Sequence, residues 1–117
     1  MANDDNIGNR IKHHSELGYY IDVYDHRSET LRHMECFGLR SDGHTWMALI
    51  TAALELECPA VLASIKFDPE AAMVLVTGSS KANLEVVQQY ISVLMSDSAF
   101  REICINTATD RGYINNA

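Results

Sequence analysis

Residues 65–80 read IKFDPEAAMVLVTGSS, in which two apolar runs flank a turn-forming tetrapeptide. The tetrapeptide at 68–71 begins with aspartate and proline. Proline presets its φ and the aspartate carboxylate accepts nearby backbone N–H groups, which is typical of tight turns. The run at 73–76 is apolar on both faces, as expected for a central strand. We therefore predict two antiparallel strands joined by this turn, with residues 73–76 in the middle of the sheet.

A second strand pair is predicted nearer the N-terminus. Residues 19–24 are rich in β-forming side chains, and their alternation puts Ile21 and Val23 on one face. The polar residues 25–29 are then expected to form a loop. Residues 31–37 are interpreted as the returning strand of a hairpin.

Three segments have helical spacing. The first begins near Asp42 or Thr45, carries Trp46 on its apolar stripe and ends near Cys58, before Pro59. The second follows Ser80 and is the clearest amphipathic helix of the chain. Its apolar stripe contains Leu84, Val87, Ile91 and Leu94. The third helix is expected to direct Phe100, Ile103, Cys104 and Ala108 inward, and Gly112 is the residue after this helix.

The order of elements is therefore predicted to be β-β-α-β-β-α-α. Strand pairs separated by helices favour an α+β fold with about four antiparallel strands and helices mainly on one face. The chain has 117 residues, which suits one domain. We expect residues 1–16 to be a mobile polar lead-in and residues 17–117 to form a single domain.

Charge limits the classes of partner. The chain has 16 acidic and 9 basic side chains, a formal charge of −7 and a pI near 5.0. Such a surface repels nucleic-acid phosphates, so we expect no nucleic-acid partner. An acidic surface speeds encounter with a basic protein.

The cysteines and the absence of long apolar runs favour a cytoplasmic location. Cys36, Cys58 and Cys104 are odd in number and have no paired spacing, which favours a reducing environment. The N-terminus lacks the regions of a signal peptide, and no apolar run approaches the ~20 residues that span a bilayer. We therefore expect a cytoplasmic protein with no membrane partner.

Catalytic and cofactor motifs are absent from the sequence. Residues 78–81 lack the spacing of a phosphate-binding loop, and no histidine pair is spaced to bind a metal, so no cofactor and no metal site are predicted. One alternative is a small hydrolase or ligand-binding domain that uses Asp68, Glu70 and a histidine. The favoured interpretation is that these two carboxylates belong to a structural turn, and no catalytic residue is predicted.

A partner-binding surface is predicted on the first strand pair and its loop. If Ile21 and Val23 face the core, two tyrosines and an aspartate are left outside, and two further carboxylates follow them. Rigid aromatic side chains interleaved with carboxylates suit a protein interface. The predicted contact residues are Tyr20, Asp22, Tyr24, Asp25 and Glu29.

Two motifs carry a resemblance to a known family. Residues 42–49 read DGHTWMAL and residues 65–73 read IKFDPEAAM. Together with the helix that follows, they resemble immunity protein 51, a family of bacterial immunity proteins encoded beside polymorphic toxins. The resemblance covers about residues 42–110, with Ala72 where the family has glycine. It implies a non-enzymatic antitoxin that blocks one cognate toxin, expected to have a basic surface, in the cytoplasm of its producer.

Overall fold

Strands and helices occupy most of the chain in the computed structural model, which describes residues 10–25 and 28–114. The strands are β1 Lys12–His14, β2 Gly18–Val23, β3 Ile65–Glu70 and β4 Met73–Gly78, and the helices are α1 Ser28–Glu35, α2 Gly43–Glu57, α3 Pro59–Leu62, α4 Lys81–Ser96 and α5 Ser98–Asp110. None of the helices in these two ranges is long and apolar enough to cross a bilayer.

The four strands form one antiparallel sheet in the order β1-β2-β4-β3. Strand β4 is internal, and its Val74 and Val76 are fully buried. The predicted α+β fold and the central position of residues 73–76 are therefore confirmed.

The predicted strand at residues 31–37 is wrong, because this segment lies in and just after helix α1. Thr30 and Met34 are both buried, and their four-residue separation is helical rather than alternating. The strand that pairs with β2 on this side is β1, from the segment 1–16 in which no strand was predicted. Its residues Lys12–His14 are all exposed and polar, so no apolar alternation in the sequence predicts a strand there.

The turn between β3 and β4 lies later in the chain than predicted. Strand β3 continues through Glu70, so residues 68–70 are strand, and the turn consists of Ala71 and Ala72. Pro69 is tolerated because β3 is an edge strand, bonded only to β4. Ala71 has a φ of +45°, a left-handed conformation that favours glycine.

The helices cover one face of the sheet. Helices α2 and α4 pack directly against the strands, and α5 packs on both helices. Asp42 and Ser80 accept hydrogen bonds from the backbone N–H groups of Thr45 and Asn83, which confirms the predicted starts of α2 and α4. The core residues predicted from these helices are all fully buried, namely Trp46, Leu84, Val87, Ile91 and Leu94.

The buried face of helix α5 differs from the predicted one. Ile103 was expected to face inward but is 53% exposed, whereas Arg101 and Ile105 are buried. The helix ends at a Schellman motif, in which Gly112 has a φ of +78°. The N–H of Tyr113 donates to Ala108 O (2.8 Å), and the N–H of Gly112 donates to Thr109 O (3.1 Å). The prediction that Gly112 follows the last helix is confirmed.

Candidate functional site

The predicted contact residues of β2 lie on the side of the sheet opposite the helices. Ile21 and Val23 are fully buried against the helical layer. Because side chains alternate along a strand, Tyr20 and Asp22 project from the other side, where both are partly exposed. The structure therefore brings these two predicted residues together.

Lys12 of strand β1 is a residue of this surface that the sequence analysis missed. It lies directly opposite Tyr20, and its Nζ is 3.3 Å from Asp22 Oδ2 and 5.9 Å from the centroid of the Tyr20 ring. This ion pair partly neutralises Asp22, although a pair this exposed contributes only ~1 kcal/mol or less to stability. The charge near Tyr20 is consequently mixed rather than uniformly acidic.

Asp25 and Glu29 are not part of the same surface. Asp25, two residues after the end of β2, is only 2% exposed. There its carbonyl oxygen accepts a hydrogen bond from Ser41 Oγ (3.2 Å), which in turn accepts one from Trp46 Nε1 (2.9 Å). Glu29 is exposed, but it lies on α1 beside a cavity. Asp25 is therefore not exposed beside Tyr20 and Asp22 as expected, whereas Glu29 stays a predicted contact residue on α1.

The surface of Tyr20 and Asp22 instead continues across β4 and β3. Residues paired across an antiparallel ladder project on the same side of the sheet. One row across β2, β4 and β3 consists of Tyr20, Thr77 and Lys66. The next row consists of Asp22, Leu75 and Asp68. The last row consists of Met73 and Glu70. We call these eight side chains and Lys12 the open face, since every helix that packs on the sheet within the described residues contacts its other side.

The apolar pattern of β4 does not predict its part of the open face, for a specific reason. An apolar run such as residues 73–76 is typical of a strand that is covered on both sides. In the structure Val74 and Val76 are fully buried, whereas Met73 and Leu75 are partly exposed. The outward position of Met73 and Leu75 follows only from the pairing of this strand with the strands of Asp22 and Asp68. The linear apolar pattern does not contain this information.

A polar cavity of about 330 Å³ lies between α1 and the junction of α4 and α5. It is lined by Glu29, Arg32, His33, Met95, Ser96, Ser98 and Arg101. The buried Arg101 donates to Leu94 O (2.6 Å) and Met95 O (3.0 Å), and its Nη1 is 2.6 Å from His33 Nδ1. These contacts satisfy carbonyl groups at the end of α4 and tie α1 to α5, which is a structural role.

The groups required by the hydrolase alternative are not gathered in this cavity. Asp68 and Glu70 are exposed on the open face, and neither lines the cavity that contains His33. Burial raises the pKa of the Cys104 thiol to about 12, which keeps it protonated and poorly nucleophilic. Within residues 10–25 and 28–114, no group of three potential metal-ligating side chains is present.

The motif residues Gly43 and Trp46 serve the scaffold. Gly43 begins α2 at the turn between β3 and β4, where its N–H donates to Ala71 O (2.9 Å). A Cβ atom at this position would lie 2.1 Å from Met73 O, so any side chain would collide with the backbone of β4. Trp46 is fully buried three residues later. The motif therefore fixes how α2 docks on the hairpin.

Comparison with protein families identifies a family that matches most of the chain. A family model described as immunity protein 51 matches residues 8–114, nearly the whole chain. The match extends the resemblance seen in residues 42–110 to both ends of the fold. No curated protein and no solved structure matches the chain significantly.

Proposed function

This chain belongs to the immunity protein 51 family, and from that membership we propose that it is an antitoxin that binds and neutralises one cognate bacterial toxin. The family match over residues 8–114 is the observation that carries the proposal. The antitoxin acts in the cytoplasm of the cell that makes the toxin, as part of a polymorphic toxin system used in competition between bacteria. It requires no cofactor and catalyses no reaction.

Neutralisation by binding is supported by the chemistry of the surface. The formal charge of −7 favours rapid encounter with a basic toxin. Tyr20 and Asp22 on the open face are the proposed contact residues, with Tyr24 directly after the same strand and Glu29 on α1. Binding of the toxin at these residues occludes or distorts its active site.

The test is protection in a cell that expresses the toxin. A plasmid encoding the toxin domain from the neighbouring gene is induced in a sensitive host, with and without this chain. Growth is expected only when both proteins are present, and the tagged chain is expected to copurify with the toxin in about equal amounts. An unrelated immunity protein serves as the control. Toxicity that persists despite soluble expression of this chain contradicts the proposal.

The second candidate is a hydrolase or ligand-binding domain that uses Asp68, Glu70 and a histidine. It would act without a protein partner and would need a site that closes around a substrate. The exposure of both carboxylates on the open face argues for contact with a large surface instead. A toxin that is inactivated by catalysis would be modified or cleaved, so mass spectrometry of the toxin recovered from the complex separates the two candidates.

A further inference from the structure

The open face has an apolar centre between charged edges. Leu75 lies in the internal strand β4, and the register places Asp22 directly on one side of it and Asp68 on the other. Met73 precedes Leu75 on the same side of β4, next to Glu70 of β3. Apolar anchors at the centre and polar side chains at the rim are the usual anatomy of a protein interface.

The charges on this face are separated along the strands. Lys12 and Lys66 lie at the end where Tyr20 pairs with Thr77, and Asp68 and Glu70 lie toward the turn between β3 and β4. Asp22 is paired with Lys12, but neither Asp68 nor Glu70 forms an ion pair within the described residues. Positions two apart on a strand are about 7 Å apart, so these two carboxylates form one small negative patch.

A partner strand added to the edge of the sheet would not use this face. Strand β3 is the edge next to the negative patch, and Pro69 removes one backbone N–H group from it. The opposite edge strand β1 has only three residues. Recognition through side chains across the open face is therefore favoured over recognition through backbone hydrogen bonds at an edge.

We propose that the open face is the toxin-docking surface, with Leu75 as its central anchor and with Asp68 and Glu70 contacting basic side chains of the toxin. The proposal rests on the antitoxin function and specifies the partner's surface: an apolar patch with lysine or arginine residues on one side of it. The separation of charges also fixes the orientation of the partner, since a reversed partner would bring its basic groups against Lys66.

The experiment measures toxin binding by calorimetry and stopped-flow kinetics for variants of the full chain. Leu75→Ala is expected to weaken binding by about thirtyfold or more, as truncation of a central anchor does. Asp68→Lys combined with Glu70→Lys is expected to weaken it at least about tenfold, mainly through slower association, with the difference shrinking as salt rises past ~0.15 M. Glu85→Lys combined with Asp110→Lys, at exposed positions of α4 and α5, changes the net charge by the same amount as the Asp68/Glu70 variant and is the matched charge control, which is expected to bind like wild type.

Four outcomes are distinguishable once circular dichroism and urea denaturation show that each variant is folded. Weakened binding by the Leu75 and Asp68/Glu70 variants, with normal binding by the Glu85/Asp110 variant, supports docking on the open face. Wild-type affinity in both open-face variants overturns the inference while the antitoxin function stands. Equal weakening by all the charge variants also overturns it, because a general effect of net charge would then explain the loss. Failure of the wild-type chain to bind removes the proposed function itself.

Discussion

Gly43 is the glycine at which an added side chain would have the least space. The backbone of Met73, at the start of β4, occupies the space where the Cβ of residue 43 would be, and the N–H of Gly43 donates to Ala71 O at 2.9 Å. Ala71 is in turn kept in a left-handed conformation with a φ of +45°. The contact therefore stabilises both the start of α2 and a strained turn.

We expect Gly43→Ala to destabilise the protein. Alanine normally improves a helix relative to glycine by about 1 kcal/mol, but here the added methyl would require backbone movement, which costs roughly 1–3 kcal/mol or more. The measurement is the free energy of unfolding from urea titration. His44→Ala, at the exposed next position of α2, is the control and should change it little. A more stable Gly43→Ala protein would show that the helix does not approach the turn this closely.

Single residues also mark the limit of what the sequence could predict. The apolar stripe of α5 placed Ile103 inside, but Arg101 is the buried residue because its guanidinium reaches carbonyl groups at the end of α4. Asp25 was expected at the surface, yet a hydrogen bond from Ser41 to its backbone accompanies its burial. In both positions a hydrogen bond to another segment of the fold accompanies the burial of a residue whose charged side chain locally favours water.

At the scale of elements, strong periodicity was predictive and weak periodicity was not. Helices α2 and α4 and strands β2 and β4 follow their predicted patterns, since each buries a regular apolar set. Strand β1 and helix α1 were missed because β1 is polar throughout and α1 has only eight residues. For such elements the partner in the fold, rather than local sequence, determines the conformation.

The packing of α4 on the sheet gives a quantitative prediction for one side chain. Leu84 is fully buried, and its Cδ2 atom lies within 2.8 Å of where a Cβ on Gly78 would be. Leu84→Ala is expected to lower the free energy of unfolding by roughly 2–5 kcal/mol, because it leaves a cavity between helix and sheet. Glu85→Ala at the adjacent exposed position is the control in the same urea titration. A loss below ~1 kcal/mol for Leu84→Ala would mean that this face of α4 is not in the core.

At the scale of the whole molecule, the end of the described chain is fastened to α2. Glu55 Oε2 accepts a hydrogen bond from the Tyr113 hydroxyl (2.6 Å), and Glu55 Oε1 accepts one from Arg111 Nη1. The hydrogen bond from Tyr113 lowers the pKa of Glu55 most, Arg111 adds to this, and partial desolvation opposes both. This contact closes the helical layer between two segments more than fifty residues apart in sequence.

The lowered pKa of Glu55 predicts how the stability depends on pH. A carboxyl group whose pKa is lower in the folded protein stabilises it above the unfolded-state pKa, and this contribution is lost as the pH falls through the folded-state value. Glu55→Gln is therefore expected to cause a small loss of stability at pH 7 that disappears toward strongly acidic pH. Urea titrations from pH 7 down to about pH 3 measure the difference from wild type, and Glu85→Gln is the control. A difference that is constant with pH would contradict the assignment.

The alternation of side chains along β2 and β4 gives each strand two sets of residues under separate selection. Substitutions in the inward set, such as Val74 and Val76, are constrained by close packing with the helices. The outward set, such as Tyr20 and Leu75, meets no helix within the described residues, so its members can diverge between lineages with little effect on folding. A family built on this sheet can acquire new specificities by exchanging one side of two strands while it inherits the other unchanged.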